Sequence, residues 1–301
     1  MYLKYFGLTE KPFSLLPDPD YIFFSSRHQA AFAMLEYGLW EQSGITVITG
    51  AVGAGKTTLI RHLLRRIDYS NITVGMVNTS HSSFDDLLHW IVSAFGLTFE
   101  GKLRVTLIRE FHEYLIRQYA SNKRVVLILD EAQNIEESAL EELRLLSNIN
   151  SEKDQLLQII LVGQPELLDT LRRPTLRQFA QRVCAEYHLE AMSCRDTIEY
   201  VRHRLKVAGG NRFLFDTFAI VAIYYYSGGV PRLVNTLCDQ AMVHAYAAQV
   251  ERIEVDIAMD VIKGKRIGGF DHARDNPEEL EKARHMLKQV VGVDIRDVVN
   301  L

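Results

Sequence analysis

Short apolar runs alternate with helical patterns through the N-terminal part of the chain. Each run contains few polar side chains, which is typical of a strand in a parallel sheet that helices cover on both faces. Between the runs, apolar residues recur every three to four positions and predict amphipathic helices. This alternation predicts an α/β fold built on a doubly wound parallel sheet. The four expected strands are Ile45–Thr49, Ile72–Val77, Val125–Leu129 and Leu156–Gly163.

The helices before and between these strands are predicted from apolar spacing and from polar residues that can cap their first turns. In the last of them, the spacing places Leu140, Leu143 and Leu146 on the buried side and Leu145 less centrally. Serine side chains are the expected N-caps of the first and the third. The expected helices are 29–41 after Ser25 or Ser26, 59–67, a helix through Phe95 after Ser82 or Ser83, 105–119, and 137–149.

Helical patterns continue after Arg195 without a further strand, and Gly209 and Gly210 interrupt them. This change predicts a small C-terminal domain that is all helical, at 195–268, after an α/β nucleotide-binding domain at 29–194. Polar or proline residues mark the starts of its helices. The expected helices are Asp196–Val207, a helix capped by Asp216 that runs through Tyr225, Pro231–Ala248, and a helix that starts at Asp256.

The two ends of the chain differ from the domains between them. Residues 1–28 are rich in aromatic side chains and proline, which predicts an extended arm packed on the core rather than a regular helix. Residues 269–301 begin as a linker and continue as a charged amphipathic helix from Pro277 to Val291. Packing of this helix on the preceding domain is favoured, and docking of a partner or a second subunit is the alternative. Its apolar side comprises Leu280, Ala283, Leu287 and Val290 or Val291.

Length, composition and charge narrow the class of protein only modestly. The 301 residues are 48% hydrophobic and 24% charged, and the net charge of -4 gives no general attraction to nucleic acid. No apolar window is long enough for a membrane-spanning helix, and the first residues lack the pattern of a signal peptide, so a cytoplasmic protein is expected. Cys184, Cys194 and Cys238 have no C-x-x-C spacing and are expected to be reduced thiols.

The stretch from Gly50 to Thr58 joins the first strand to the helix that follows it. It matches the pattern G-x-x-x-x-G-K-[ST] through Gly50, Gly55, Lys56 and Thr57. Small residues let backbone N–H groups turn towards an anion, and the next helix adds its unpaired N–H groups. Lys56 would reach the β- and γ-phosphates of a nucleotide such as ATP, and the Thr57 hydroxyl would bind Mg²⁺. The residues expected in this phosphate loop are Gly50, Ala51, Val52, Gly53, Ala54, Gly55, Lys56, Thr57 and Thr58.

Two acidic residues, Asp130 and Glu131, follow the most apolar of the runs. In an open α/β sheet the ligand binds outside the carboxyl ends of the strands, so these acids are expected to face the phosphates. Asp130 would position Mg²⁺, and Glu131 would orient or deprotonate the attacking water. Gln164 stands at the end of the next strand, before Pro165, where its amide would hold a catalytic water or contact the γ-phosphate. The alternative for Gln164 is a turn-forming residue without a catalytic role.

The order of these motifs along the chain resembles that of an AAA+ ATPase, a P-loop NTPase. Other segments more narrowly resemble the ExeA/GspA family, which includes general-secretion and pilus-biogenesis ATPases and is similar to the ATPase partners of some transposases. The resemblance extends from about Met1 to Arg266. Longer secretion members continue into a membrane helix and a peptidoglycan-binding module, and neither is expected in this chain. The segments that carry the resemblance are Tyr5–Phe13, Pro17–Pro19, Leu129–Gln133, Leu161–Leu167, Phe179–Arg182 and Gly228–Arg232.

The resemblance implies roles for two arginines and for the helical domain, which corresponds to the lid of an AAA+ module. Arg182 lies where the family carries an arginine finger, which acts from a neighbouring subunit and couples hydrolysis to assembly. Arg177 is the alternative finger, and a solvated basic stretch is the alternative to any finger. Arg232 resembles the lid arginine that senses the γ-phosphate, and a surface charge that stabilises the fold is its alternative.

Two functions are consistent with these residues. The first is a homo-oligomeric ATPase, cytoplasmic or peripheral at the inner membrane through a partner, that drives assembly of an envelope apparatus such as a secretion, pilus or exopolysaccharide system. The second is a DNA-dependent ATPase that regulates a transposase, and the mildly acidic charge and lack of a long basic tail disfavour it. A third possible function is a nucleotide-gated switch that barely hydrolyses ATP, and the presence of Glu131 argues against it.

Overall fold

The structure is a computed structural model that describes residues 2–16, 18–41, 44–79, 84–149, 155–265, 277–292 and 294–296. The expected caps Ser82 and Ser83 and the linker over 269–276 lie outside the described residues. The chain divides into two compact units. The sheet unit comprises His28–Val52 and Leu59–Leu189, and the helical unit comprises Met1–Arg27, Gly53–Thr58 and Glu190–Leu301.

The sheet unit is built on a parallel β-sheet, which in the described residues has five strands in the order β2-β3-β4-β1-β5. Helices precede or follow each strand, as the alternating pattern predicted, so the doubly wound α/β fold is confirmed. Three strands, β1, β3 and β4, are buried along their whole or nearly whole length. The strands are β1 Ile45–Gly50, β2 Ile72–Asn78, β3 Arg124–Asp130, β4 Leu157–Gly163 and β5 Val183–Leu189.

The fifth strand, β5, was not predicted from the sequence. In the described part of the chain it pairs with β1 alone, at the edge of the sheet. Ala185 and Leu189 are buried, whereas Cys184 and Glu186 are exposed. An edge strand with one solvated face has no continuous apolar run, which explains why the pattern of the other four strands is absent here.

The helices agree with the predicted ones to within a few residues at most ends. The predicted helix over 137–149 ends at Leu146, and Leu145 is 50% exposed while Leu140, Leu143 and Leu146 are buried. The short helices α7 and α8 were not expected. The helices are α1 Tyr2–Tyr5, α2 Ser26–Trp40, α3 Lys56–Arg66, α4 Phe84–Ala94, α5 Arg104–Ala120, α6 Glu137–Leu146, α7 Glu166–Leu171, α8 Arg177–Ala180, α9 Cys194–Val207, α10 Thr217–Ser227, α11 Pro231–Ala247, α12 Val255–Gly264 and α13 Pro277–Val291.

The helical unit packs α9, α11, α12 and α13 around α10, every residue of which from Ala219 to Ser227 is buried. Asp216 caps α10, because its carboxylate accepts the backbone N–H of Phe218 over 2.9 Å. The C-terminal helix α13 lies against α10, and its side chains Leu280, Ala283 and Leu287 are part of the same core. No helix in the described part of the chain is both long and apolar enough to cross a membrane.

The N-terminal arm packs into the core of the helical unit through Tyr2, Leu8 and Phe13. The expectation that the arm has no regular helix was wrong for its first turn: α1 precedes the first proline, and Gly7, with φ of 65°, follows it. Buried Arg204 of α9 fixes the arm by donating to the carbonyl oxygens of Pro12 and Ser14, the latter at 3.3 Å.

Candidate functional site

The phosphate loop leaves β1 at Gly50 and enters α3 at Lys56. Gly53 and Gly55 have φ of 82° and 104°, in the region that glycine adopts without the steric cost of a Cβ. Val52, at the exposed turn of the loop, is 48% accessible to solvent, whereas Ala54 is buried. The first turn of an α-helix directs its backbone N–H groups out of the helix end, along the axis. This backbone has the features of an anion-binding loop at a helix N-terminus.

Gly50, the last residue of β1, packs against Leu189 of β5 within the sheet unit. A Cβ built on Gly50 would lie 2.6 Å from the carbonyl oxygen of Leu189, so a side chain does not fit at this position. The preceding residue, Thr49, is buried, and its hydroxyl lies 2.9 Å from Nδ1 of His188. Packing against Leu189 therefore requires glycine at the first position of the motif.

Lys56, Thr57 and Thr58 form the first turn of α3. Lys56 is only 7% exposed, and the two threonines are half-buried. A lysine in this position extends from a helix N-terminus, which itself favours anions. The turn therefore combines a buried lysine, two hydroxyls and a helix terminus, which are groups that bind phosphate and a phosphate-bound cation.

Arg232 in the first turn of α11 contacts the phosphate-loop residue Gly53, and both belong to the helical unit. The backbone N–H of Arg232 donates to the carbonyl oxygen of Gly53 over 3.3 Å, and a Cβ built on Gly53 would lie 2.5 Å from the Arg232 Cβ. Proline at the first position of α11 starts this helix. Gly228 and Gly229, with φ of 59° and 78°, turn the chain before it.

Asp130 is the last residue of β3 and is 5% exposed. Its carboxylate Oδ1 accepts the backbone N–H of Glu131 over 3.0 Å. Glu131 has φ of 56° and ψ of 39°, a left-handed conformation that costs a residue with a Cβ roughly 1–2 kcal/mol. Such strain occurs at functional sites when surrounding hydrogen bonds maintain it.

Thr79, directly after β2, supplies hydrogen bonds that maintain this conformation. Its hydroxyl lies 2.8 Å from the carbonyl oxygen of Asp130 and 2.7 Å from that of Glu131, and its backbone N–H donates to Asp130 over 3.0 Å. Asn134 in turn donates its side-chain amide to the carbonyl oxygen of Thr79 over 2.9 Å. Thr79 and Asn134 were not predicted from the sequence, because each is an ordinary polar residue beside a strand or turn.

The side chain of Glu131 accepts hydrogen bonds from two glutamines. Gln133 Nε2 donates to Glu131 Oε2 over 2.7 Å, and Gln164 Nε2 donates to the same oxygen over 3.3 Å. The structure therefore places the predicted residue Gln164 beside Glu131, as the two lie at the ends of neighbouring strands. Gln133 was not predicted as a site residue, although it ends the segment Leu129–Gln133 that carries part of the family resemblance.

The strand order brings the ends of three predicted segments to one edge of the sheet. Strand β4 lies between β3 and β1, and all three run parallel, so their carboxyl ends share that edge. Gly50 ends β1, Asp130 ends β3 and Gln164 follows β4. In open α/β sheets this edge is where ligands bind.

Arg182 and Arg177 lie in a different part of the sheet unit, around α8 and the start of β5. Arg182 is half-buried and its backbone N–H donates to Phe179 over 2.9 Å, whereas Arg177 is exposed. Within the described ranges, neither side chain forms an ion pair, which distinguishes both from their neighbours Arg172 and Arg173. Arg177 lines a groove of about 390 Å³.

Arg173 contacts Glu137 of α6, which also accepts the Thr175 hydroxyl over 2.7 Å. These hydrogen bonds, from Thr175 first and then from Arg173, hold the pKa of Glu137 below its usual value. Arg173 therefore has a carboxylate partner, whereas the described residues show no ion pair for Arg177 or Arg182.

Comparisons with known proteins agree with this architecture. Residues 40–171 match a family model described as an AAA domain. General secretion pathway protein A of Aeromonas hydrophila is 41% identical over 276 residues, which cover 89% of this chain and 50% of that protein. The chain thus spans about half the length of this curated relative.

Two solved structures share the fold at low sequence identity. The ORC2 protein of Aeropyrum pernix, in ADPNP–ADP complexes, has a TM-score of 0.64 at 16% identity and covers 96% of this chain and 86% of its own. CDC6P of Pyrobaculum aerophilum has a TM-score of 0.65 at 12% identity and covers 96% of this chain and 88% of its own. These likenesses concern the fold.

Proposed function

We propose that this chain, which contains an AAA domain and is similar to general secretion pathway protein A, is an AAA+ ATPase that hydrolyses ATP with Mg²⁺ to drive assembly of a bacterial envelope apparatus. The apparatus would be a secretion, pilus or exopolysaccharide system. The observation that carries the proposal is 41% identity over 89% of the chain, which includes the phosphate loop and the acidic pair.

In this proposal the phosphate loop binds the triphosphate. Backbone N–H groups from Gly50 to Thr58 would donate to the phosphates, and the Lys56 ammonium would neutralise the β- and γ-phosphates. The Thr57 hydroxyl would bind Mg²⁺, and Asp130 would orient the water molecules of the ion. The positive φ of Gly53 and Gly55, and the helix that begins at Lys56, support this assignment.

Hydrolysis itself requires a group that acts on water. Glu131 would orient the attacking water and accept its proton, and Gln164 would assist through its amide. The strained backbone of Glu131 and the hydrogen bond from Gln164 support this part of the proposal, since they present a carboxylate in one defined position. When bound, Mg²⁺ would stabilise charge that develops on the phosphates.

Assembly forms the third part of the proposal. Arg182, or Arg177 in its place, would reach the γ-phosphate bound by a neighbouring subunit of a homo-oligomer, and Arg232 would report the presence of that phosphate to the helical unit. The contact between Arg232 and Gly53 supports the second role. The protein would act in the cytoplasm and reach the inner membrane through an envelope partner.

The proposal can be tested by complementation in the organism that carries this gene. Deletion of the gene should abolish assembly of one envelope system, and wild-type protein should restore it while Glu131→Gln should not. Restoration by the inactive variant would show that hydrolysis does not drive assembly.

A parallel binding measurement tests the DNA-dependent alternative. Binding to duplex DNA with ATP present would be followed between about 50 and 200 mM salt, because phosphate contacts weaken steeply over that range. We expect no binding and no stimulation of ATP turnover at the lowest salt. DNA-stimulated turnover that decreases with salt would favour the alternative function.

A further inference from the structure

The amide of Gln133 connects the ends of strands β3 and β4. Its Nε2 donates to Glu131 Oε2 over 2.7 Å, and its Oε1 accepts the backbone N–H of Gln164 over 2.9 Å. Because a backbone N–H can only donate, the oxygen of the Gln133 amide must face Gln164. The NH₂ group must then face the carboxylate, so the amide has a single orientation in which all its contacts are satisfied.

Packing at Gly163, the last residue of β4, accommodates this amide. A Cβ built on Gly163 would lie 3.2 Å from Gln133 Oε1 and 2.8 Å from Leu167 Cδ2. A larger residue at position 163 would therefore press on both the glutamine and α7. The glycine leaves space for the Gln133 side chain to reach from β3 to β4.

Both glutamines donate to the same oxygen of Glu131. Gln133 contacts Oε2 at 2.7 Å and Gln164 contacts it at 3.3 Å. Two donors on one oxygen fix the rotation of the carboxylate, and they leave Oε1 as the oxygen that can accept a proton from water. Thr79 fixes the backbone of the same residue, so both ends of the glutamate are held.

We propose that Gln133 is a positioning residue for ATP hydrolysis, which holds the Glu131 carboxylate with Oε1 turned towards the attacking water. The inference rests on the proposed function, in which Glu131 acts on that water. Gln133 contacts Glu131 and Gln164 but would not contact the nucleotide. Its loss is therefore expected to change turnover and to leave nucleotide affinity unaltered, since displacement of a reacting group by about 1 Å can cost about 100-fold in rate.

Gln133→Met tests this role, because methionine has a similar size and cannot donate to a carboxylate. We expect kcat to fall about 10- to 100-fold while the Kd of ATP, measured by titration, changes less than about twofold. Gln118→Met is the matched control: Gln118 accepts the Thr73 hydroxyl over 3.1 Å at the start of β2, and its loss should leave kcat unchanged. If Gln133→Met fails to fold, Gln133→Glu keeps the size of the side chain and should lower kcat in the same way.

A double variant separates this inference from the function on which it rests. If Gln133 acts through Glu131, adding Gln133→Met to Glu131→Gln should lower turnover no further than Glu131→Gln does alone. Unchanged or increased kcat in Gln133→Met, or the same fold loss in both backgrounds, would overturn the inference and leave the proposed function intact. Normal turnover in Glu131→Gln would instead overturn the role of Glu131 and, with it, that of Gln133.

Discussion

The backbone N–H of Arg232 donates to the carbonyl oxygen of Gly53, over 3.3 Å, so the first turn of α11 is attached to the phosphate loop. The two residues are far apart in sequence, yet the loop segment Gly53–Thr58 belongs to the same helical unit as α11. If the loop moved on binding phosphate, Gly53 would therefore displace the first turn of α11 or break this hydrogen bond.

Gly53→Ala is expected to weaken ATP binding. Alanine at φ of 82° is strained, and its Cβ would lie 2.5 Å from the Arg232 Cβ, so the loop must shift. A loss of about 10-fold in affinity corresponds to about 1.4 kcal/mol and can be measured by titration calorimetry. Gly101→Ala is the control, because Gly101 has φ of 69° and no neighbour within 4 Å of its Cβ position. Equal losses in both variants would contradict the role of the contact.

Lys56→Ala should lower ATP affinity by about 10- to 150-fold, because a charge-assisted hydrogen bond to phosphate is worth about 1.5–3 kcal/mol. Fluorescence titration with a labelled ATP analogue would measure the effect. Lys263→Ala, at the exposed end of α12 beside Asp260, should bind as the wild type does. Unchanged affinity in Lys56→Ala would reject the assignment of the phosphate loop.

Glu131→Gln should retain ATP binding and lose turnover by a factor of about 10² to 10⁴, the usual contribution of a general base. The amide keeps the shape of the side chain but cannot accept the proton of water. Phosphate release in the steady state would be compared with that of Glu136→Gln, which changes an exposed glutamate just before α6. Wild-type rates in Glu131→Gln would assign the base to another residue.

Arg182→Ala should lower turnover by about 10³-fold if the guanidinium acts as a finger. The activity of the wild type per subunit should then rise with protein concentration. Mixing Arg182→Ala with Lys56→Ala subunits should restore part of the activity, because each supplies the residue that the other lacks. The same mixture made with Arg177→Ala identifies which arginine acts. No recovery at any ratio, with assembly verified by light scattering, would argue against a finger in trans.

Gly229→Ala should destabilise the protein more than Gly228→Ala does. Both glycines have positive φ, of 78° and 59°, and each substitution should cost about 1–2 kcal/mol from backbone strain alone. A Cβ on Gly229 would also collide with the carbonyl oxygen of Met192, whereas one on Gly228 meets no atom within 4 Å. Urea unfolding should therefore give a larger loss for Gly229→Ala. Equal losses would show that the backbone near Met192 relaxes.

Patterns local in sequence predicted the strands β1 to β4, most helices and the phosphate loop. A buried parallel strand must be apolar along its length, and a phosphate loop needs glycine, lysine and threonine at set spacing, so the short segments carry the information themselves. The same reasoning predicted Asp130 and Glu131, because only the carboxyl end of such a strand accepts polar groups. It did not predict β5, an edge strand whose two buried residues, Ala185 and Leu189, are separated by exposed and half-buried ones.

Contacts between distant residues were decided by the tertiary structure. The order of the strands placed Gln164 beside Glu131. It also gave Gln133 two partners, Glu131 after β3 and Gln164 after β4. The pairing of Arg232 with Gly53, and of Arg204 with the N-terminal arm, likewise joins segments that no local pattern relates. Such hydrogen bonds form only after core packing has brought distant segments of the backbone together. The residue type of a side chain shows that it can donate or accept a hydrogen bond, but it does not specify the partner.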